Sequence, residues 1–265
     1  MTELSTLDLG LICQGCDFDH QERFDWLYKT ETGSTNRDVL EHYENCHHNV
    51  ICLAESQTSG RGRRGRAWIS PYAKNIYCTV GMLVDIPAKS IGLVGILTGL
   101  ALCESLQQSG YPSTRLKWPN DLLLEGRKVG GILIESRIIG SQFFLAIGFG
   151  INVHVSEAEL VSADLSATSL EISNNTPVER GKLLTVCISE VIGRIDQFDE
   201  NEIDDLRAEF NRNDAYYQQP LTALLVNEKV DGLNCGINSA GQIGLKTENG
   251  LQYFSAADIS LRPQD

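Results

Sequence analysis

The chain has 265 residues, 42% of them apolar and 22% charged, the proportions of a soluble globular protein long enough to bury a sizeable core. Its formal net charge of −13 argues against a general surface for nucleic acid or anionic lipid. The longest apolar stretch, 91–103, is interrupted by glycine and threonine and falls short of the roughly 20 apolar residues of a membrane span.

The opening, Met1-Thr2-Glu3-Leu4, has neither the positive patch nor the apolar core of a secretory signal. A cytoplasmic protein with no membrane partner is expected, and its eight cysteines are expected to be reduced thiols. Cys13, Cys16, Cys46, His47 and His48 are zinc-ligand types, but their spacing matches no standard finger. Residues 1–25 are too few for a winged helix. A helix is expected from Thr35, with Thr35-x-x-Asp38 as a capping box. Residues 50–55 read as a buried strand, and 75–84 as a second one rich in β-branched and aromatic residues. Residues 91–108 predict a buried helix. Glu125-Gly126-Arg127 and Gly140-Ser141-Gln142 each mark a hairpin, the first between 122–124 and 129–136, the second between 138–139 and 143–153. Thr176-Pro177-x-Glu179 predicts a helix with cap, proline at N1 and glutamate at N3, carrying the apolar positions 183–195. A short helix is expected within 199–214. Short strands separated by Asn, Gly and Ser turns then run to residue 262. The fold expected is α+β: a catalytic domain over 1–215 with a central mixed sheet flanked by helices, then a small SH3-like β-barrel over 216–265.

Against the acidic background, four arginines fall within 61–66, spaced by glycines. Glycine permits close backbone approach and arginine supplies fixed donors for carboxylate or phosphate, so the segment reads as an anion site. It is neither a phosphate-binding Walker loop nor a dinucleotide fingerprint. Lys117-Trp118-Pro119-Asn120-Asp121 places charged and polar groups between apolar runs. Lys128-Val129-Gly130-Gly131 and Gly148-Phe149-Gly150-Ile151-Asn152 place small residues inside apolar strands, where structural need and ligand approach are both open readings.

In this order and spacing, these segments resemble the biotin–protein ligase family. The resemblance rests on Ser34-Thr35-Asn36, the run from Gln57 through Gly60–Arg66 to Trp68, Lys117–Asp121, Lys128 with Gly131 and Glu135, and Gly148–Asn152. It is strong over 28–153 and weak up to Arg262. The resemblance implies that biotin and ATP give biotinyl-5'-AMP and pyrophosphate, and that a lysine of a biotin carrier domain then takes the biotinyl group. The carrier implied is that of acetyl-CoA carboxylase, with magnesium accompanying ATP.

Carried over residue by residue, Ser34, Thr35, Asn36 and Gln57 would meet the biotin ring, and Gly60 and Arg61 would contact it through the backbone. Arg63 and Lys128 would meet its carboxylate, Gly131 would allow close packing, and Trp68 would cover the tail and order the adenine pocket. Arg66 and Lys117 would face phosphates, Asn152 would line the adenine site, and Arg262 would reach toward the nucleotide. Asp121 would orient either magnesium or the incoming lysine. Lys128, Arg63, Arg66, Lys117 and Asp121 form the expected catalytic set, while Arg64 has no expected task. Some relatives carry an N-terminal winged helix; here only about 25 residues precede the catalytic region, so no DNA binding is expected. Lipoate–protein ligases and a non-catalytic biotin sensor are the competing readings. A monomer or a ligand-favoured homodimer is expected, the latter through a strand near 137–144.

Overall fold

The computed structural model describes residues 6–16, 21–162, 166–174, 178–225 and 228–264. The helix opening expected at Thr176-Pro177 lies outside them. Seven strands form one mixed sheet: β1 (Asp25–Lys29), β2 (Val50–Ala54), β3 (Ile76–Val84), β4 (Thr114–Lys117), β5 (Asp121–Leu124), β6 (Arg127–Ile139) and β7 (Gln142–Ile151). Their spatial order is β1-β2-β3-β7-β6-β5-β4, with β1 and β2 parallel and the other pairs antiparallel. β2 is buried along its whole length, which is why it reads as a continuous apolar run rather than an alternating one. β6 is one strand, not the two pieces expected. Its polar Ser136-Arg137 lies where the strand has run past its partner β5, whose pairing stops at Gly131, so the far half of β6 is an open edge carrying exposed Ile138 and Ile139.

Helix α1 (Leu9–Gly15) precedes the sheet, α2 (Thr35–Cys46) covers one face, and α3 (Val94–Gln108) lies in the main core. Although α3 and the turn before it are apolar enough by length and composition to cross a membrane, they are packed inside the protein. Two short helices follow β7: α4 (Glu157–Ser162) and α5 (Leu170–Asn174). Helices α6 (Arg180–Asp196) and α7 (Ile203–Asn213) come next. α6 is amphipathic, burying Leu183, Leu184, Cys187, Ile188, Val191, Ile192 and Ile195 in the core.

α2 starts at Thr35 as expected, but the capping patterns expected for α2 and α6 need correction. Ser34, not Thr35, is the N-cap of α2, and its side chain makes no capping bond. Thr35 spends its hydroxyl on Gln57, and Asp38 accepts from the Thr32 hydroxyl at 2.6 Å. Tertiary partners have displaced the capping box. α6 starts at Arg180 with Glu179 at the N-cap, so Glu179 is not at N3.

The remaining strands, β8 (Pro220–Leu224), β9 (Lys229–Ile237), β10 (Ile243–Thr247), β11 (Gly250–Phe254) and β12 (Ser260–Pro263), form an antiparallel sheet in the order β11-β10-β9-β8-β12. All eight cysteines are free, and no three His, Cys, Asp or Glu side chains gather around a point among the described residues.

Between the two sheets, Asp214 follows α7 and is nearly buried. Burial pushes its carboxyl up from 3.8 to about 6. The folded chain therefore holds this proton more tightly than the unfolded one. The stability Asp214 contributes is full below its unfolded value and is lost as pH rises through about 6. Wild type is expected to lose up to about 3 kcal/mol more than Asp214→Asn between pH ~4 and ~6. Parallel melting curves for the two proteins across that range would show that this carboxyl does not carry the effect.

Candidate functional site

One face of the large sheet holds a cavity of about 660 Å³, a volume typical of small-molecule sites. At one corner α2 begins. Thr35 donates to Gln57 Oε1 through its backbone N–H at 3.0 Å and its hydroxyl at 3.2 Å. Gln57 Nε2 donates to Ser70 Oγ at 3.1 Å, and the Thr79 hydroxyl of β3 sits 2.8 Å from Thr35 Oγ1. Ser34, Thr35 and Asn36 are buried and all line the cavity. The Asn36 amide, however, is committed elsewhere: its Nδ2 donates to the Leu133 carbonyl at 3.1 Å and to Glu135 at 3.0 Å. This corner is a set of hydroxyls and amides with little net charge, suited to a neutral polar ring.

The floor is glycine. A Cβ on Gly150 would come within 2.7 Å of the Trp68 ring, and one on Gly131 would reach it at 3.3 Å. The indole therefore lies directly on β6 and β7, which only glycine allows. Its Nε1 is buried without a partner, and the Lys128 ammonium stands 5.4 Å from the ring centroid.

The glycine–arginine segment is an ordered hairpin rather than a loose loop. Trp68 N donates to Gly60 O at 2.9 Å, Arg61 pairs with Ala67, and Gly62 N donates to Arg66 O at 2.7 Å. Its tip turns through Arg64 and Gly65, at φ 57° and 71°. Arg61 pairs with Glu135 at 2.7 Å. Arg63 donates to Asn120 Oδ1 at 3.2 Å and to the Ala256 carbonyl. Arg64, for which the sequence offered no task, donates to Ser260 Oγ at 2.8 Å and the Ala257 carbonyl at 3.0 Å. The tip is thus fastened to the C-terminal sheet.

Positive charge gathers at the other end of the cavity. Lys128 meets Asp121 at 2.6 Å. Burial pushes the Lys117 ammonium down; Asp121 opposes this, while Arg262, Lys128 and Arg66 reinforce it. Burial likewise lowers Arg63, helped by Arg64. A cluster of cations this close together is suited to a polyanion.

Of the residues expected from sequence, Ser34, Thr35, Asn36, Gln57, Arg61, Arg63, Arg66, Trp68, Asp121, Lys128, Gly131 and Asn152 line this cavity. Gly60, Lys117 and Arg262 do not. Gly60 sits behind Trp68, where a Cβ would meet the Trp68 carbonyl at 2.4 Å. Lys117 is in electrostatic reach of Asp121, Arg262, Lys128 and Arg66. Sequence reasoning missed Asn75, which lines the cavity, takes Val153 N at 2.9 Å and reaches Asn152 Oδ1 at 3.4 Å. It also missed an apolar rim of Val155, Leu160 and Ala167. Neither carries a local pattern.

Residues 28–152 match the model of the biotin/lipoate A/B protein ligase family. The chain is 32% identical over 236 residues to the biotin–[acetyl-CoA-carboxylase] ligase of Mycobacterium tuberculosis, covering 86% of each protein. It is 29% identical over 231 residues to the bifunctional ligase/repressor BirA of Escherichia coli, covering 86% of this chain and 71% of that one. Its fold superposes on biotin protein ligase from Aquifex aeolicus in complex with biotin and ATP with a TM-score of 0.75 and 25% identity, over 92% of this chain and all of that one.

Proposed function

This chain belongs to the biotin–protein ligase branch of the biotin/lipoate A/B protein ligase family, and from that premise we propose how its residues divide the work. It is an ATP-dependent biotin–protein ligase. A biotin carboxylate oxygen attacks the α-phosphorus of ATP, giving biotinyl-5'-AMP and pyrophosphate. A carrier lysine amine then attacks the acyl carbon, forming an amide and releasing AMP. The carrier proposed is the biotin carboxyl carrier domain of acetyl-CoA carboxylase, in the cytoplasm.

The observation that carries this assignment is one cavity with a neutral hydrogen-bonding corner at Thr35 and Gln57 and a cationic end at Lys128, Arg66 and Arg63. The ring of biotin is assigned to the first end, bonded by Ser34, Thr35, Gln57 and the backbone at Arg61, while Gly60 serves by seating Trp68. The acyl phosphate forms at the second. There Lys128 and Arg63 stabilise charge between carboxylate and α-phosphate, and Arg66 and Lys117 face the departing pyrophosphate. Asn152, Asn75 and Arg262 serve the nucleotide. Trp68 and the hairpin exclude water from the mixed anhydride.

Asp121 is already engaged by Lys128 and stands among further cations, a poor donor set for a protein-held magnesium ion. Magnesium enters this proposal as the ion that accompanies ATP, and Asp121 is assigned to orienting the incoming amine. Two copies would pair along the open edge of β6. No DNA partner is assigned.

Incubation with biotin, MgATP and a carrier domain should raise the carrier's mass by one biotinyl group, and lipoate should not substitute. An unmodified carrier in the presence of detectable pyrophosphate release would refute the transfer step. Gly150→Ala is expected to lift Trp68 from its seat and raise KM for both biotin and ATP on the order of tenfold, since misplacement of about 1 Å can cost more than that. Unchanged KM values would show that the ring's seat plays no part in binding.

A further inference from the structure

The segment 117–121 meets the C-terminal sheet at a joint built around one buried carboxylate and one buried amide. Asp214 pairs in parallel with Leu116 of β4, and Ala215 N donates to Leu116 O at 2.7 Å. The Asp214 side chain uses both oxygens: Oδ1 accepts from Tyr216 N at 3.1 Å, and Oδ2 accepts from Asn234 Nδ2 at 2.7 Å. Asn234, on β9, is 1% exposed. Its Nδ2 also donates to the Tyr216 carbonyl at 2.9 Å, and its Oδ1 accepts from Gly236 N at 2.8 Å. Its backbone exchanges further bonds with Gln218 and Gln219. Both backbone polar groups of Tyr216 are therefore held by these two side chains, with Gln219 N also donating to the Tyr216 carbonyl at 3.1 Å. Such a fully satisfied buried network fixes geometry, because each group left unpaired would cost its desolvation.

The network fixes the Tyr216 backbone, and the ring that this backbone carries lies under the Lys117 ammonium, 5.8 Å from nitrogen to centroid. Lys117 stands beside the Asp121 carboxylate and among like charges from Arg262, Lys128 and Arg66. The Tyr216 ring adds a contact that sets the direction of its ammonium against those repulsions. We propose that Asp214 and Asn234 are positioning residues for the ATP half-reaction: by clamping Tyr216 from the C-terminal sheet, they hold the ring that aims Lys117 at the nucleotide phosphates. This rests on the reading of Lys117 as phosphate-facing.

The test measures KM for ATP, KM for biotin and kcat in biotin-dependent ATP–pyrophosphate exchange, using the full chain. Asp214→Ala and Asn234→Ala are expected to raise KM for ATP on the order of tenfold, with KM for biotin held within about twofold. Tyr216→Leu, which removes the ring and keeps the clamp, should do the same, and it keeps the test open if Asp214→Ala fails to fold. Tyr216→Phe, which retains the ring, should match wild type for ATP. Lys117→Ala serves as the reference. If it weakens ATP while the Asp214, Asn234 and Tyr216→Leu variants leave KM for ATP unchanged, the clamp is refuted and the site reading stands. If both KM values rise together in those variants, the joint is only scaffolding and the clamp is again refuted. If Lys117→Ala itself leaves ATP kinetics intact, the site reading fails, and the clamp with it.

Discussion

Replacing Lys128 with alanine is expected to slow biotinyl-adenylate formation by roughly 10²–10³-fold, the usual loss when one donor is removed from a charge-stabilising site. Lys128 is the cation we propose to act throughout the reaction. It stands on β6 beside the glycine floor, near the Trp68 ring and 2.6 Å from Asp121. Its task begins with a carboxylate approaching a polyphosphate, two anions that repel. A fixed cation between them is worth more as charge shifts onto the acyl phosphate and pyrophosphate than in the ground state, so the loss belongs mainly in kcat. The fold should hold, because the Lys128 side chain is a third exposed and that of its partner Asp121 a quarter exposed. Single-turnover quench measurements of adenylate check this. A loss below about fivefold at saturating ATP and biotin would remove Lys128 from the catalytic set.

The second large effect concerns stability. Glu55 is fully buried at the end of β2, and Arg180, at the start of α6, is 4% exposed. They meet at 2.9 Å. Glu55 Oε1 also accepts from Leu7 N at 2.6 Å and from the Tyr28 hydroxyl at 2.9 Å, while Arg180 donates to the Asn75 carbonyl at 2.9 Å. Glu55→Ala removes the buried carboxylate that Arg180 meets, and breaking a buried ion pair from one side costs about 3–5 kcal/mol. For a chain of this size that lowers Tm by about 10 °C. The double variant Glu55→Leu with Arg180→Met should recover much of the loss, since removing both charges also removes both desolvation penalties. Thermal unfolding of the single and double variants checks this. A double variant as unstable as Glu55→Ala would mean that the hydrogen bonds to Leu7, Tyr28 and Asn75 matter more than the charge.

The cavity-lining residues are legible where charge and glycine are carried by short strings. Gln57 through Trp68, and Lys128 with Gly131, stand out because charge and glycine inside apolar surroundings seldom serve packing alone. The sheet was legible from apolar runs and turn residues. What could not be read was whatever depends on distant partners. Thr35 and Asp38 form a capping box on local pattern alone, until Gln57 and Thr32 claim their side chains. β6 reads as broken at Ser136-Arg137 because nothing local says that its neighbour stops at Gly131. Asn75 is one asparagine among many until Val153 and Asn152 surround it. Arg64 had no visible task because its partners are a backbone carbonyl and a serine nearly 200 residues away, and a carbonyl has no sequence signature.

That last attachment bears on how the site comes into being during synthesis. The hairpin tip closes on Ala256, Ala257 and Ser260 across sequence separations of 193 to 196 residues. Contacts of that span form only after the intervening chain has been made and both sheets have assembled. A ribosome that has delivered the hairpin, the glycine floor and Lys128 has supplied the reacting groups without the anchor that holds their cover. A chain truncated before residue 255 should leave Arg63 and Arg64 open to trypsin, and cleavage there should be much slower in the full chain. Water-tight chemistry on the mixed anhydride would thus be among the last properties the growing chain acquires.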